Sequence, residues 1–220
     1  MNIVKDISSI KSICIVIPTY NRAALLQKSL EKYVNISHIE DATILIIDNN
    51  SDDNTKAVVS EFKAKHKLNI QYHFESEQGL SFAKNKAIEL CTQDYVLFMD
   101  DDCYPREDIL IRCKEYTSKE NAVVVGKILR WSEMVPDWNI DEFFIYNHPS
   151  TAVAELSSAR YFKGGILLVS TNVLKLVNGF DTSLGMSGNK TAYGEDADVA
   201  SKLLKENVEI LYDPNVVMHH

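Results

Sequence analysis

Ile13-Cys14-Ile15-Val16-Ile17, closed by Pro18 and followed by Thr19-Tyr20-Asn21-Arg22, sets how the rest of the chain is read. Five apolar residues without alternation suit a strand buried on both faces, as in a parallel sheet covered by helices. Such a strand needs a crossover before its next parallel partner, and residues 22–33 supply a helix with Leu25, Leu26, Leu30 and Tyr33 on one face. A second apolar run, 44–47, ends at Asp48. The rhythm predicts helices at 54–65, 82–91 and 107–119 and strands at 70–74, 95–99 and 122–129. After Arg130 it breaks into a polar and aromatic stretch through Pro149. It resumes with an apolar run over 162–170, a short helix at 172–177, a long loop over 178–193, a strong helix at 195–207 and two short apolar runs. This alternation predicts an α/β protein with a mostly parallel sheet.

The 220 residues show no Pro/Gly/Ser-rich linker or composition shift, so a single domain over 1–220 is expected. Lys plus Arg number 23 against 31 Asp plus Glu, a net charge of −8, and no basic stripe is present, which argues against nucleic acid as the partner. Cys14, Cys91, Cys103 and Cys113 form no Cys-x-x-Cys pair and read as reduced thiols of a cytosolic chain. No stretch approaches 18 apolar residues, and residues 1–11 lack a signal-peptide core. The expected location is therefore cytoplasmic, at most peripheral at the inner membrane face, with no membrane segment in this chain. The chain stops on the apolar run Val216-Val217-Met218-His219-His220, and a longer natural protein is expected.

Ligands of open α/β sheets bind beyond the carboxyl ends of the strands. The fourth strand end carries Asp100-Asp101-Asp102. A pair of such charges about 4 Å apart costs roughly 4 kcal/mol at an effective dielectric near 20, so a positive group belongs between them. Mg²⁺ or Mn²⁺ takes carboxylate oxygens and keeps positions for phosphate, which points to a metal-bound nucleotide diphosphate. A solvated acidic loop is the plainer alternative. A second cluster, Gly194-Glu195-Asp196-Ala197-Asp198, opens the last helix. Its carboxylates suit a helix N-terminus, and one facing a diphosphate leaving group could also take the proton of an attacking hydroxyl.

Taken in order, Ile15 to Arg22, Ile46 to Thr55, Gln78-Gly79-Leu80-Ser81-Phe82-Ala83-Lys84-Asn85, Phe98 to Asp102 and Gly194 to Asp198 resemble the family 2 glycosyltransferases of GT-A fold. The resemblance covers nearly the whole chain. It implies a Rossmann-like three-layer α/β/α architecture and an inverting transfer of a sugar from a nucleotide-diphosphate sugar, usually a UDP-sugar, to a hydroxyl of a glycan, lipid-linked or other acceptor. Carried over by position, Pro18, Tyr20, Arg22 and Asp48 line the nucleotide pocket, where an aromatic ring can stack on a base and a carboxylate can accept from uracil. Lys84 stands where the family often has arginine, so its diphosphate or nucleotide contact is a point charge. Asp100 and Asp102 are the outer pair of the Asp-x-Asp motif, with Asp101 between them on the nucleotide side. Asp102 is expected as the direct ligand of the divalent metal and Asp100 as a ribose or metal contact.

The resemblance further makes Asp196 the catalytic base, with Glu195 orienting the acceptor or its loop. Gly164 and Gly165 match a segment that lets backbone approach the donor sugar, although a packing turn reads equally well. His219 or His220 matches a histidine that some members place on the metal, and strand alternation aims only one of them inward. Trp131, with Trp138, Phe143, Phe144 and Tyr146, falls where acceptor loops sit in the family, or forms a small subcore. Cell-surface polysaccharide or glycoconjugate biosynthesis is the family-level expectation.

The first strand end lacks the Gly-x-Gly-x-x-Gly of a nicotinamide enzyme, and no Gly-Lys-Ser/Thr of a P-loop is present. An aspartyl phosphatase would carry its acidic motif on the first strand. Two alternatives stay open: a sugar-phosphate nucleotidyltransferase, whose glycine-rich basic first loop is missing here, and a non-catalytic nucleotide-sugar-binding module.

Overall fold

A computed structural model describes residues 12–119, 121–130, 148–188 and 190–220. Trp131, Trp138, Phe143, Phe144 and Tyr146 lie outside the described residues, as do residues 1–11. The chain runs β1 (Ile13–Thr19), α1 (Ala23–Tyr33), β2 (Thr43–Asp48), α2 (Thr55–Lys65), β3 (Ile70–Phe74), α3 (Leu80–Leu90), β4 (Tyr95–Met99), β5 (Tyr104–Pro105), α4 (Ile109–Lys114) and β6 (Val123–Leu129). It continues through β7 (Ala154–Glu155), β8 (Ile166–Ser170), α5 (Thr171–Leu176), α6 (Glu195–Lys205) and β9 (Ile210–His219).

The unbroken apolar run of β1 is explained by the two cores that it serves. Ile13, Ile15 and Ile17 pack with Leu26, Leu30 and Tyr33 of α1, Val59 and Phe62 of α2, and Ile109, Leu110 and Cys113 of α4. Cys14 and Val16 point the other way, toward Ala83 and Ala87 of α3, Val173 and Leu174 of α5, and Val199 and Leu203 of α6. Helices therefore cover both faces of one sheet in three layers. Each fully buried Val, Leu or Ile stabilises this arrangement by about 1.5–3 kcal/mol, before the entropy of ordering is counted. All four cysteines are buried and free.

The sheet order is β3-β2-β1-β4-β8-β6-β9-β5, with β7 added on β9. Pairs β2–β3, β1–β2, β1–β4 and β6–β9 are parallel, while β4–β8, β6–β8, β5–β9 and β7–β9 are antiparallel. Six of the nine strands among the described residues thus share one direction. The order reverses between β1 and β4, which opens a crevice at their carboxyl ends, where Rossmann-like sheets bind ligands.

Three local differences from the sequence reading have plain causes. The run over 162–170 becomes strand only from Ile166, because the Gly164-Gly165 segment is drawn against acidic side chains. Helix α4 is limited to Ile109–Lys114, with turns carrying the chain from there to Lys119. The two final apolar runs are one strand, β9, which passes through Pro214. Proline is tolerated there because the register slips, Val125 facing Tyr212 but Lys127 facing Val217, so the bulge asks for no ladder N–H at Pro214. Gly126 sits opposite this bulge, where a Cβ would lie 2.5 Å from the Ile166 side chain. Asp213 is 2% exposed and anchors the bulge, accepting from the Tyr116 hydroxyl at 2.7 Å and from the Asn215 backbone N–H at 2.8 Å.

Among the described residues no helix is long and apolar enough to cross a membrane.

Candidate active site

The crevice holds a cavity of about 310 Å³. Pro18, Thr19, Tyr20 and Arg22 line it from the end of β1, Asn49 from the end of β2, Leu80 and Ala83 from α3, and Asp100 to Asp102 from the end of β4. Met186 and Gly188 wall it from the loop before α6, and His220 closes it from β9.

The positive group demanded by three consecutive aspartates is present within the chain itself. Arg22 donates from Nη1 to Asp101 Oδ1 at 3.1 Å and to Asp102 Oδ2 at 2.8 Å. Thr19 Oγ1 donates to the second Asp101 oxygen at 2.7 Å, so Asp101 is buried and fully engaged with protein. Asp102 remains open on the side facing His220, whose Nε2 lies 3.4 Å from Asp102 Oδ1. His219 does not line the cavity and pairs in the sheet with Tyr104 and Leu129, so strand alternation places His220 at the site.

The electrostatics follow from these contacts. Burial lifts the Asp100 carboxyl to about 6, Lys84 opposing it and the charges of Asp102, Asp196 and Asp101 adding to it. Burial also raises Asp101, against the Thr19 hydrogen bond and the Arg22 charge. At Asp102 burial acts upward too, but the hydrogen bond from His220 and the charges of His220 and Arg22 outweigh it and hold the carboxyl below its usual range. His220 is raised in turn by its hydrogen bond to Asp102.

Asp102, Cys103 and His220 bring one potential ligand atom each within 4.8 Å of one another. Burial and the three neighbouring aspartates push the Cys103 thiol far upward, which disfavours its thiolate. Carboxylate and imidazole remain, a donor pair that suits Mn²⁺ or Mg²⁺, with Asp100 beside it. The residues therefore fit the expected cation.

A second group of carboxylates stands behind the first. Asp196, in the first turn of α6, has Oδ1 2.8 Å from Lys84 Nζ and Oδ2 2.9 Å from the Gly164 N–H that donates to it. Glu195 Oε1 lies 3.8 Å from the same ammonium, and burial followed by the Asp196 charge raises the Glu195 carboxyl. A Cβ on Gly164 would stand 2.5 Å from Asp196 Cγ, and one on Gly165 would press on the Asp100 carboxylate, 3.0 Å from its Cγ. The two consecutive glycines thus let backbone run between the base candidate and the metal candidate.

Two expected roles meet a different geometry. Asp48 is 2% exposed and absent from the cavity wall, because Tyr72 donates its hydroxyl to Oδ2 at 2.6 Å and the Ser51 N–H occupies Oδ1 at 2.9 Å. It braces the strand end, and the neighbouring Asn49 reaches the wall. Lys84, expected on the diphosphate, is equally enclosed and turned toward Asp196. Sequence reasoning missed Thr19 and Asn49, although both stand inside the quoted strand-end motifs. It also missed Met186 and Gly188, whose place depends on a loop tied to α3 by the Leu80 N–H to the Met186 carbonyl and by Ser81 Oγ to the Leu184 carbonyl.

Known proteins share this sequence pattern and this fold. The family model described as Glycosyl transferase family 2 matches residues 14–176. The dolichyl N-acetyl-alpha-D-glucosaminyl phosphate 3-beta-D-2,3-diacetamido-2,3-dideoxy-beta-D-glucuronosyltransferase of Methanococcus voltae is 28% identical over 221 residues, covering 93% of this chain and 65% of its own. Among solved structures, the mannosyltransferase PcManGT from Pyrobaculum calidifontis in complex with GDP-Man and Mn²⁺ superimposes with a TM-score of 0.71 at 19% identity, over 96% of this chain and 56% of that one. TarS 1-349 of S. aureus in complex with UDP-GlcNAc gives 0.72 at 17% identity, over 95% and 58%. These superpositions establish the GT-A fold and, at such low identities, the fold alone. The chain spans less than two thirds of the length of each of these relatives.

Proposed function

Because the chain belongs to glycosyl transferase family 2, we propose that it transfers a sugar from a nucleotide-diphosphate sugar to an acceptor hydroxyl, with inversion and with Asp196 as general base. The observation that carries this reading is the adjacency of Asp196 to Asp100 on the cavity wall: the Gly164 N–H donates to Asp196, and the next residue, Gly165, lies against the Asp100 carboxylate.

Pro18, Tyr20 and Arg22 form the nucleotide side of the cavity, and Asp100 and Asp101 bound its floor. Asp102 and His220, with Asp100, would hold Mn²⁺ or Mg²⁺, which when bound supplies positive charge to the diphosphate. Asp196 accepts the proton of the acceptor hydroxyl as its oxygen bonds to the anomeric carbon. The bond from that carbon to the diphosphate breaks on the opposite side, and the diphosphate leaves with the electron pair. A single displacement inverts the centre. Arg22 stands on the cavity wall with its side chain 45% exposed, a cation on the side where the leaving group would lie.

Both UDP and GDP donors fit this reading, and we favour UDP on the family resemblance. A glycan or lipid-linked acceptor is proposed on the same ground, as is a cytoplasmic location with at most peripheral contact with the inner membrane face.

The test is a panel of UDP- and GDP-sugars with Mn²⁺, monitored for nucleoside diphosphate release and an acceptor-linked product. One donor should turn over, and Asp196→Asn should abolish turnover while retaining nucleotide. Pyrophosphate release from a nucleoside triphosphate would instead identify a nucleotidyltransferase, and unchanged turnover in Asp196→Asn would remove the base assignment.

A further inference from the structure

We propose that Lys84 is a positioning residue for the base, its buried ammonium holding the Asp196 carboxylate in place from α3, and that it does not serve as a ligand of the donor diphosphate. This inference rests on the reading of Asp196 as general base.

Lys84 sits on the inner face of α3, between the buried Ala83 and Ala87, and its side chain is 2% exposed. Its Nζ donates to Asp196 Oδ1 at 2.8 Å, lies 3.8 Å from Glu195 Oε1 and stands 4.8 Å from the centre of the Phe180 ring. The Gly164 N–H holds the other Asp196 oxygen at 2.9 Å. One carboxylate is therefore clamped from two elements, α3 and the segment before β8, while its own backbone belongs to α6. Each oxygen of a carboxylate can accept two hydrogen bonds, so both keep a lone pair for the acceptor proton. A rotating carboxylate would lose that aim, and a misplacement of about 1 Å can cost on the order of 10²-fold in rate.

The charges explain why a lysine is tolerated there. Burial pulls the Lys84 ammonium toward neutrality, and the charges of Asp196, Asp100 and Glu195 more than restore it. A contact with the diphosphate would require Lys84 to give up its pairing with Asp196 and Glu195. Arg22 already supplies a cation on the cavity wall.

The experiment pairs steady-state kinetics with calorimetric UDP and GDP binding in Mn²⁺ for wild type, Lys84→Met and Asp196→Asn. Lys84→Met should lower kcat by about 10²-fold or more while donor KM and nucleotide Kd stay within about threefold. A diphosphate ligand behaves in the opposite way, and a rise of about tenfold or more in KM and Kd would overturn the proposal. If Asp196→Asn binds nucleotide and still turns over, the base reading fails and this one with it. If Asp196→Asn is inactive while Lys84→Met keeps its kcat, only the Lys84 assignment falls. Should Lys84→Met melt too low to assay, the double variant Lys84→Met/Asp196→Asn decides. Recovery of the lost Tm supports mutual neutralisation, and a double variant as unstable as Lys84→Met overturns it.

Discussion

Replacing Gly164 by alanine should damage turnover and spare nucleotide binding, while the same change one residue later should do the reverse. A Cβ at 164 would lie 2.5 Å from Asp196 Cγ and 2.6 Å from Oδ2, against a floor of 3.0 Å for real contacts, so the carboxylate must retreat by roughly 0.5–1 Å. That retreat loosens the hydrogen bonds from the Gly164 N–H and from Lys84 together. A displacement of this size costs about 10²-fold in kcat, close to 2.7 kcal/mol at 1.36 kcal/mol per tenfold. At Gly165 the obstructed group is Asp100, so Gly165→Ala should weaken Mn²⁺-dependent nucleotide binding by about tenfold or more. Gly194→Ala is the control for backbone strain alone, since its φ is +109° and nothing stands within 4 Å of the added carbon. Donor turnover and calorimetric binding measured on the three variants separate the effects. Wild-type kcat in Gly164→Ala, or identical behaviour of the 164 and 165 variants, would refute the placement of the base beside the metal site.

Other outcomes follow from the same contacts. In metal-free buffer Asp100→Asn should raise Tm at pH 7–8. The folded carboxyl titrates near 6, above its unfolded value, so its ionisation costs stability above pH 6 and the cost vanishes as pH falls below about 4. The gain is at most about 3 kcal/mol, and thermal melts from pH 4 to 8 measure it. His220→Ala should weaken Mn²⁺ binding by about tenfold or more, read by Mn²⁺ spectroscopy without any nucleotide, and chelation should lower nucleotide affinity in the wild type. Tyr116→Phe removes a hydrogen bond to the buried Asp213 carboxylate, costing about 1.5–3 kcal/mol, so denaturant unfolding should shift while nucleotide binding stays intact.

The parallel half of the fold was legible because β1, β2 and β4 serve two cores at once, and only unbroken apolar runs such as Ile13 to Ile17 and Ile44 to Ile47 do that. The apolar run of β8 was legible but its antiparallel direction between β4 and β6 was not, since a buried strand reads the same in either direction. Pro214 concealed β9, because a bulge is a property of two strands and the sequence of one cannot show it. At the site, acidic motifs at strand ends marked Asp100, Asp102 and Asp196 without showing which way each carboxylate turns. Asp48 turned inward to Tyr72, and Lys84 turned to Asp196 and away from the cavity, because each found a partner on an element distant in sequence. His220 was distinguishable from His219 only once β9 had a register.

The most direct measurement is calorimetric titration of UDP and GDP into the chain with and without Mn²⁺, repeated on Asp102→Ala. The account predicts that one of the two nucleotides binds only with the metal and that Asp102→Ala abolishes this binding. Failure of both nucleotides to bind with Mn²⁺ present, or binding that Asp102→Ala leaves unchanged, would contradict it.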